Sequence, residues 1–157
     1  MEQPHTPARI MGLDIGDRRI GIAISDGLGL TAQPLFTLHR TSSSREDVRS
    51  IARMVRKHAV AEIVVGLPLH ISGEESPQAV KTRKFAQELA ERVQLPMHFL
   101  DERLTSHAVD ELMKQGGRNS HERKALVDQM AAALILQGFL DERASSGSPS
   151  SPVTGPG

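Results

Sequence analysis

The chain has 157 residues, and its 19 Lys and Arg balance its 19 Asp and Glu, so the formal net charge is zero. Apolar residues make up 38% and there are 13 glycines, the composition of one ordinary globular core and too little chain for two full domains. With no cysteine, disulfides, zinc-thiolate sites, thiol catalysis and iron–sulfur ligation are excluded. Only four Phe are present, with no Trp or Tyr, so base-stacking platforms are not expected, and contact with nucleic acid would have to run through a local basic patch. No run approaches the ~18 apolar residues of a membrane span, and MEQPHTPARIMG lacks the basic-then-apolar pattern of a secretory leader. A cytoplasmic protein is expected.

Residues 1–8 are polar and carry two prolines, and 144–157 (ASSGSPSSPVTGPG) cannot bury a core, so 9–143 is read as the folded domain between two disordered ends. Three strands come first. Arg9–Ile15 is short and apolar. Arg19–Ser25 alternates, with Ile20, Ile22 and Ile24 on one face and Gly21 and Ala23 on the other. Gly16-Asp17 joins the two as a hairpin, and Asp26-Gly27 marks the next turn. Thr31–His39 is the third strand, placed at an edge by Pro34. Helix and strand then alternate: a helix over Ser44–Ala59, a strand over Ala61–Leu67, a helix over Pro77–Val93 capped by Ser76, and a strand over Pro96–Asp101. A helix from Thr105 to Gln115, a loop over 116–121 and a helix over Glu122–Arg143 complete the pattern. A meander followed by crossovers predicts an α/β fold, a mixed sheet with helices on its faces.

Acids in apolar company stand out. Asp14 shares a strand face with Ile10 and Gly12, while Met11, Leu13 and Ile15 line the other. In the last helix, Ala125, Ala132, Ile135 and Phe139 lie within about 60° of Asp128 at ~100° per residue. An ionised carboxylate in such a place needs compensation, either from a divalent cation shared by several acids or from an arginine or backbone donors. A third acid comes from Asp101-Glu102, whose side chains point to opposite faces at a strand's C-terminal end, where open α/β sheets place their crevice. Asp17 and Asp26 read as turn residues. Oxygen-only donors suit Mg²⁺ or Mn²⁺, and such cations serve phosphoryl and phosphodiester chemistry.

Basic residues give a second pattern. Arg45, Arg49, Arg53 and Arg56 form a stripe on the first helix, and Lys114, Arg118, Arg123 and Lys124 precede Asp128. Each group is either a solvated face or a track for a phosphate backbone. The loop Gly66–Gly73 lacks the Walker A pattern, and the seven histidines show no metal-ligand spacing.

The segments LDIGDRRIGIAISD, IVVGLPL, LPMHFLDERLTS and KALVDQMAAALILQGFLD, in this order over residues 9–142, resemble the YqgF (RuvX) family. The resemblance implies a ribonuclease H-like fold: a five-stranded mixed sheet, three antiparallel strands then two parallel, with flanking helices. Its acidic site falls by position on Asp14, Glu102 and Asp128, choosing Glu102 over Asp101, as ligands of Mg²⁺ or Mn²⁺. Arg19, Lys124 and the helix residues Arg45, Arg49 and Arg53 would position the substrate backbone. The implied activity is metal-dependent phosphodiester hydrolysis in maturation of the 5′ end of pre-16S rRNA, with the ribosome as a partner and no membrane. Holliday junction resolution on branched DNA, which would need a homodimer rather than a monomer, is one alternative. A non-catalytic ribosome-assembly factor is another.

Overall fold

The computed structural model describes residues 8–69, 72–102 and 120–147, with backbone only at 120–123 and 146–147. The sequence-predicted helix Thr105–Gln115, the basic residues Lys114 and Arg118, and residues 1–7 and 148–157 lie outside the described residues. Five strands, β1 (Arg9–Ile15), β2 (Arg19–Ser25), β3 (Ala32–His39), β4 (Val60–Leu67) and β5 (Met97–Asp101), form one sheet in the order β3-β2-β1-β4-β5. β1 pairs antiparallel with β2 and parallel with β4, and β4 pairs parallel with β5. This is the predicted mixed sheet. β3 is an edge, and its pairing slips where Phe36 opposes Ile22 but Pro34 opposes Ala23, leaving Leu35 as the extra residue of a bulge.

The alternation of each strand sorts its side chains between two layers. Met11, Leu13, Ile15, Ile20, Ile22, Ile24, Ile63 and Val65 meet helices α1 (Ser44–Lys57) and α2 (Pro77–Val93) through Val48, Ile51, Val55, Phe85 and Leu89. The opposite face, with Ile10, Ala23, Val64 and Leu100, packs against α3 (Ser120–Gly147) through Ala132, Ala133, Ile135, Leu136 and Leu140. Helix α3 starts at Ser120, inside the expected loop, and runs on to Gly147. Its Ala-Leu-rich sequence favours helix strongly.

Local chemistry sets the helix starts. Ser43 Oγ accepts from the Glu46 N–H at 3.2 Å, and Ser76 Oγ accepts from the Ala79 N–H at 3.1 Å, with Pro77 in the first turn. The buried Asp47 carboxylate accepts from the Thr41 N–H and hydroxyl, both at 2.9 Å, and from Arg40 Nε at 3.0 Å. Arg40 Nη1 also donates to the Gly16 carbonyl at 3.0 Å, tying the end of β3 to the β1–β2 turn. The C-terminal ends of β1, β4 and β5, the start of β2 and the starts of α1 and α2 therefore gather at one rim of the sheet.

Candidate active site at the C-terminal rim

Asp14 is the penultimate residue of β1 and faces the α3 side, opposite Gly21 of β2. Glu102 follows the last residue of β5 and comes to the same face. Its neighbour Asp101 continues the strand alternation on the other face, opposite Leu67. The register thus puts Glu102, and not Asp101, on the face that carries Asp14. The carboxyls of Asp14 and Glu102 hydrogen-bond to each other, and both are half-buried. Two carboxylates cannot share such a contact while both are ionised. Burial, above all, pushes Glu102 up to about 9, and the contact and charge of Asp14 and the charge of Asp101 add to it. Asp14 is also raised, first by burial and then by the charge of Asp128, against the opposing hydrogen bond from Glu102.

Asp128 comes from α3. The helix crosses β2 so closely that a Cβ on Gly21 would overlap the Asp128 carbonyl oxygen and lie 3.1 Å from its Cα. Only glycine permits that approach, so Gly21 sets the height of Asp128 above the sheet. Thr37 fixes the same turn from β3, its hydroxyl donating to the Ala125 carbonyl at 2.7 Å. A Cβ on Gly66 would lie 2.8 Å from Glu102 Cγ, so the empty position on β4 is what lets Glu102 fold back over the sheet toward Asp14.

The Asp128 carboxylate is held by Arg19: Nε donates to Oδ2 at 2.5 Å, with the two side chains 28% and 20% exposed. Both ways of compensating a buried acid thus occur here, a shared proton for Asp14 and Glu102 and an arginine for Asp128. Among the described residues no three His, Cys, Asp or Glu side chains form a metal-ligand cluster, and Asp128 is engaged by Arg19. The donor set still suits a hard divalent cation. All three groups are carboxyls, and two of them coexist only by retaining a proton that a cation would replace.

Of the expected backbone contacts, Lys124 lies exposed on α3 one turn before Asp128, and Arg19 lies on the acid face of the sheet. Arg45, Arg49 and Arg53 are exposed on α1, in the layer across the sheet from Asp14 and Glu102. Arg49 contacts Glu46 at 3.4 Å, and Arg53 donates to Ser50 Oγ at 3.2 Å. Two features escaped the sequence reading. A cavity of about 200 Å³ between α1 and α2 is lined by Arg40, Ser44, Lys81, Lys84, Phe85 and Glu88. At the opposite end of the sheet, Arg143 of α3 grips Glu62 with two bonds of 2.8 and 3.0 Å, and His98 of β5 meets Glu62 at 2.9 Å. Phe139 stacks under both, 4.9 Å from the His98 ring and 4.6 Å from the Arg143 guanidinium. The Arg143 hydrogen bond, chiefly, holds Glu62 down at about 2, and this acid serves as an anchor for α3. Asp26 is a turn residue as expected, accepting from the Leu30 N–H at 2.8 Å.

Residues 8–142 match the RuvX family, described as Holliday junction resolvase. A Moorella thermoacetica protein named for a proposed pre-16S rRNA nuclease activity is 44% identical over 139 residues, 88% of this chain and 99% of that one. An Acaryochloris marina protein of the same name is 45% identical over 133 residues, 85% of this chain and 92% of its own length. Among solved structures, T. thermophilus RuvC in complex with a Holliday junction substrate aligns with a TM-score of 0.54 at 16% identity, covering 90% of this chain and 97% of that one. The likeness to RuvC bears on the fold, and the ribonuclease H-like expectation agrees with it. Matched over nearly its whole folded length and more than 40% identical to curated relatives, this chain belongs to the RuvX family.

Proposed function

We propose that the protein is a divalent-cation-dependent nuclease that hydrolyses phosphodiester bonds of structured nucleic acid, with the 5′ side of pre-16S rRNA as its substrate. The observation that carries the reading is the proton-sharing Asp14–Glu102 pair at the sheet's C-terminal rim, with a third carboxylate, Asp128, near enough to raise Asp14. The names of the Moorella and Acaryochloris relatives support RNA as the substrate. The family description keeps branched DNA as the second reading.

Asp14, Glu102 and Asp128 would hold Mg²⁺ or Mn²⁺. When bound, such a cation supplies Lewis-acid polarisation of the phosphodiester and activation of water for attack. The chain's own residues do the rest. Asp14 and Glu102 would hold the cation as carboxylates, in place of the proton between them. Arg19, paired with Asp128, and Lys124, one turn before Asp128, would orient a phosphate backbone by charge-assisted hydrogen bonds. Arg45, Arg49 and Arg53 would meet only a duplex flank that passes the rim toward α1. A protein acting on ribosomal RNA precursors would work in the cytoplasm and near the ribosome.

The test compares cleavage of a pre-16S rRNA 5′ mimic, the matched DNA duplex and a four-way DNA junction with Mg²⁺ or Mn²⁺, using wild type and Asp14→Asn. Cleavage of the RNA by wild type alone, abolished by chelator, is expected. Equal cleavage by a folded Asp14→Asn protein would refute the reading, and preferential junction cutting would transfer it to branched DNA.

A further inference from the structure

We infer that Arg19 is a counter-ion latch on Asp128: its guanidinium and the incoming divalent cation compete for one carboxylate, and loading of the site releases Arg19 toward the substrate phosphate. The inference rests on the nuclease reading above and names a step that reading leaves open.

Three observations carry it. First, the Arg19–Asp128 contact is short, 2.5 Å between Nε and Oδ2, and partly withdrawn from solvent, so it is a restraint rather than a loose surface pair. Second, Asp128 is engaged by Arg19 and not by the other two acids. Asp128 acts on Asp14 through its charge, yet the three carboxyls do not close into a ligand cluster among the described residues. Third, both residues are carried by packed elements. Arg19 sits in β2 opposite His39, and the α3 backbone at Asp128 rests directly on Gly21, two residues along the same strand. Side-chain rotation is the smallest change that makes the exchange, and the arginine has the longer and more adaptable side chain.

The charges favour the exchange. A dication placed among three carboxyls repels a guanidinium bonded to one of them. Through its Nε contact Arg19 leaves its terminal nitrogens without a protein acceptor among the described residues. Those nitrogens offer the planar fork that matches phosphate oxygens. Displacement from Asp128 thus converts Arg19 from an internal counter-ion into a phosphate ligand next to the cation. Cation loading and substrate grip become one event, with the cation bound first.

Mn²⁺ binding to wild type, Arg19→Gln and Arg19→Lys, followed by electron paramagnetic resonance of free Mn²⁺, tests the competition without relying on cleavage. Arg19→Gln should bind Mn²⁺ at least threefold more tightly, and Arg19→Lys, which keeps the charge, should stay nearer wild type. Unchanged or weaker binding by Arg19→Gln overturns the latch and leaves Arg19 as a support for Asp128. Absence of Mn²⁺ binding by wild type is a different result: it removes the metal-nuclease reading and the latch together. A second measurement needs only folded wild type, with Arg19→Lys used to assign the signal. The Arg19 Nε–H proton resonance should shift and exchange faster with water as Mg²⁺ is added. A resonance that keeps its position and protection at saturating Mg²⁺ refutes the release.

Discussion

Raising the pH should weaken the cation-free protein, and Asp14 should be the reason. Asp14 and Glu102 share a proton, and Glu102 is pushed up from 4.5 to about 9. Between those values the folded chain keeps a proton that the unfolded chain has released, so stability is greatest below about 4.5 and is lost as pH rises toward 9. One retained proton corresponds to at most about 1.4 kcal/mol per pH unit, or roughly 3 kcal/mol between pH 6 and pH 8. For a chain of this size that is on the order of 5–10 °C in Tm. Asp14→Asn lessens the requirement, because the Asn amide donates to an ionised Glu102 and the Asp14 charge is gone, while burial still raises Glu102. Glu62, Asp26 and Asp47 are all lowered and titrate below this window, and the histidines, common to both proteins, cancel in the difference. The assay is thermal and urea unfolding in chelator across that range, wild type against Asp14→Asn. The variant should show a flatter pH slope and a higher Tm at the alkaline end. Parallel slopes would show that burial alone raises Glu102 and would refute the coupling of its proton to Asp14. Added Mg²⁺ should reverse the wild-type slope, since a cation in the proton's place favours the ionised pair.

Two further outcomes test the supports of the site. Gly21→Ala would drive a Cβ into the Asp128 carbonyl, so α3 must retreat at about 1–3 kcal/mol, and calorimetry should show the lower Tm alongside weaker Mn²⁺ binding. An unchanged Tm would mean that the helix does not rest on β2. Glu62→Gln should cost on the order of 1 kcal/mol near neutral pH while leaving nuclease rates intact. Because Glu62 is lowered from 4.5 to about 2, its contribution is present above 4.5 and disappears as pH falls toward 2, so wild-type and variant stabilities should converge in acid. A constant gap across that range would contradict the anchor.

The strands were readable because their information is local. Alternation in RIGIAIS fixed both faces of β2, and Ser76-Pro77 marked the start of α2 to the residue. Asp14 and Asp128 were visible as acids breaking apolar patterns. Glu102 was visible only as one of two neighbours until the register of β5 against β4 put Asp101 on the other face. What stayed hidden depends on contacts between distant segments. Arg19 and Asp128 are separated by 109 positions, and nothing local to either announces their pairing. The α1 arginines were legible as an exposed stripe, but their layer follows from the hand of the β3-α1-β4 connection, which spacing does not encode. Ser120 and His121 of α3 were missed because the composition of GGRNSH is that of a loop.

The bulged, proline-bearing outer strand also has a bearing on assembly. A β-sheet invites copies of itself by presenting a straight row of free backbone donors along its margin. Here that row is bent at Leu35 and lacks a donor at Pro34, so a twin molecule gains little by continuing the sheet from β3. Two copies brought together for paired incisions in a branched substrate would have to meet through helices or across the β5 margin, and a symmetric arrangement built on joined β3 strands is disfavoured by the covalent chemistry of a single residue.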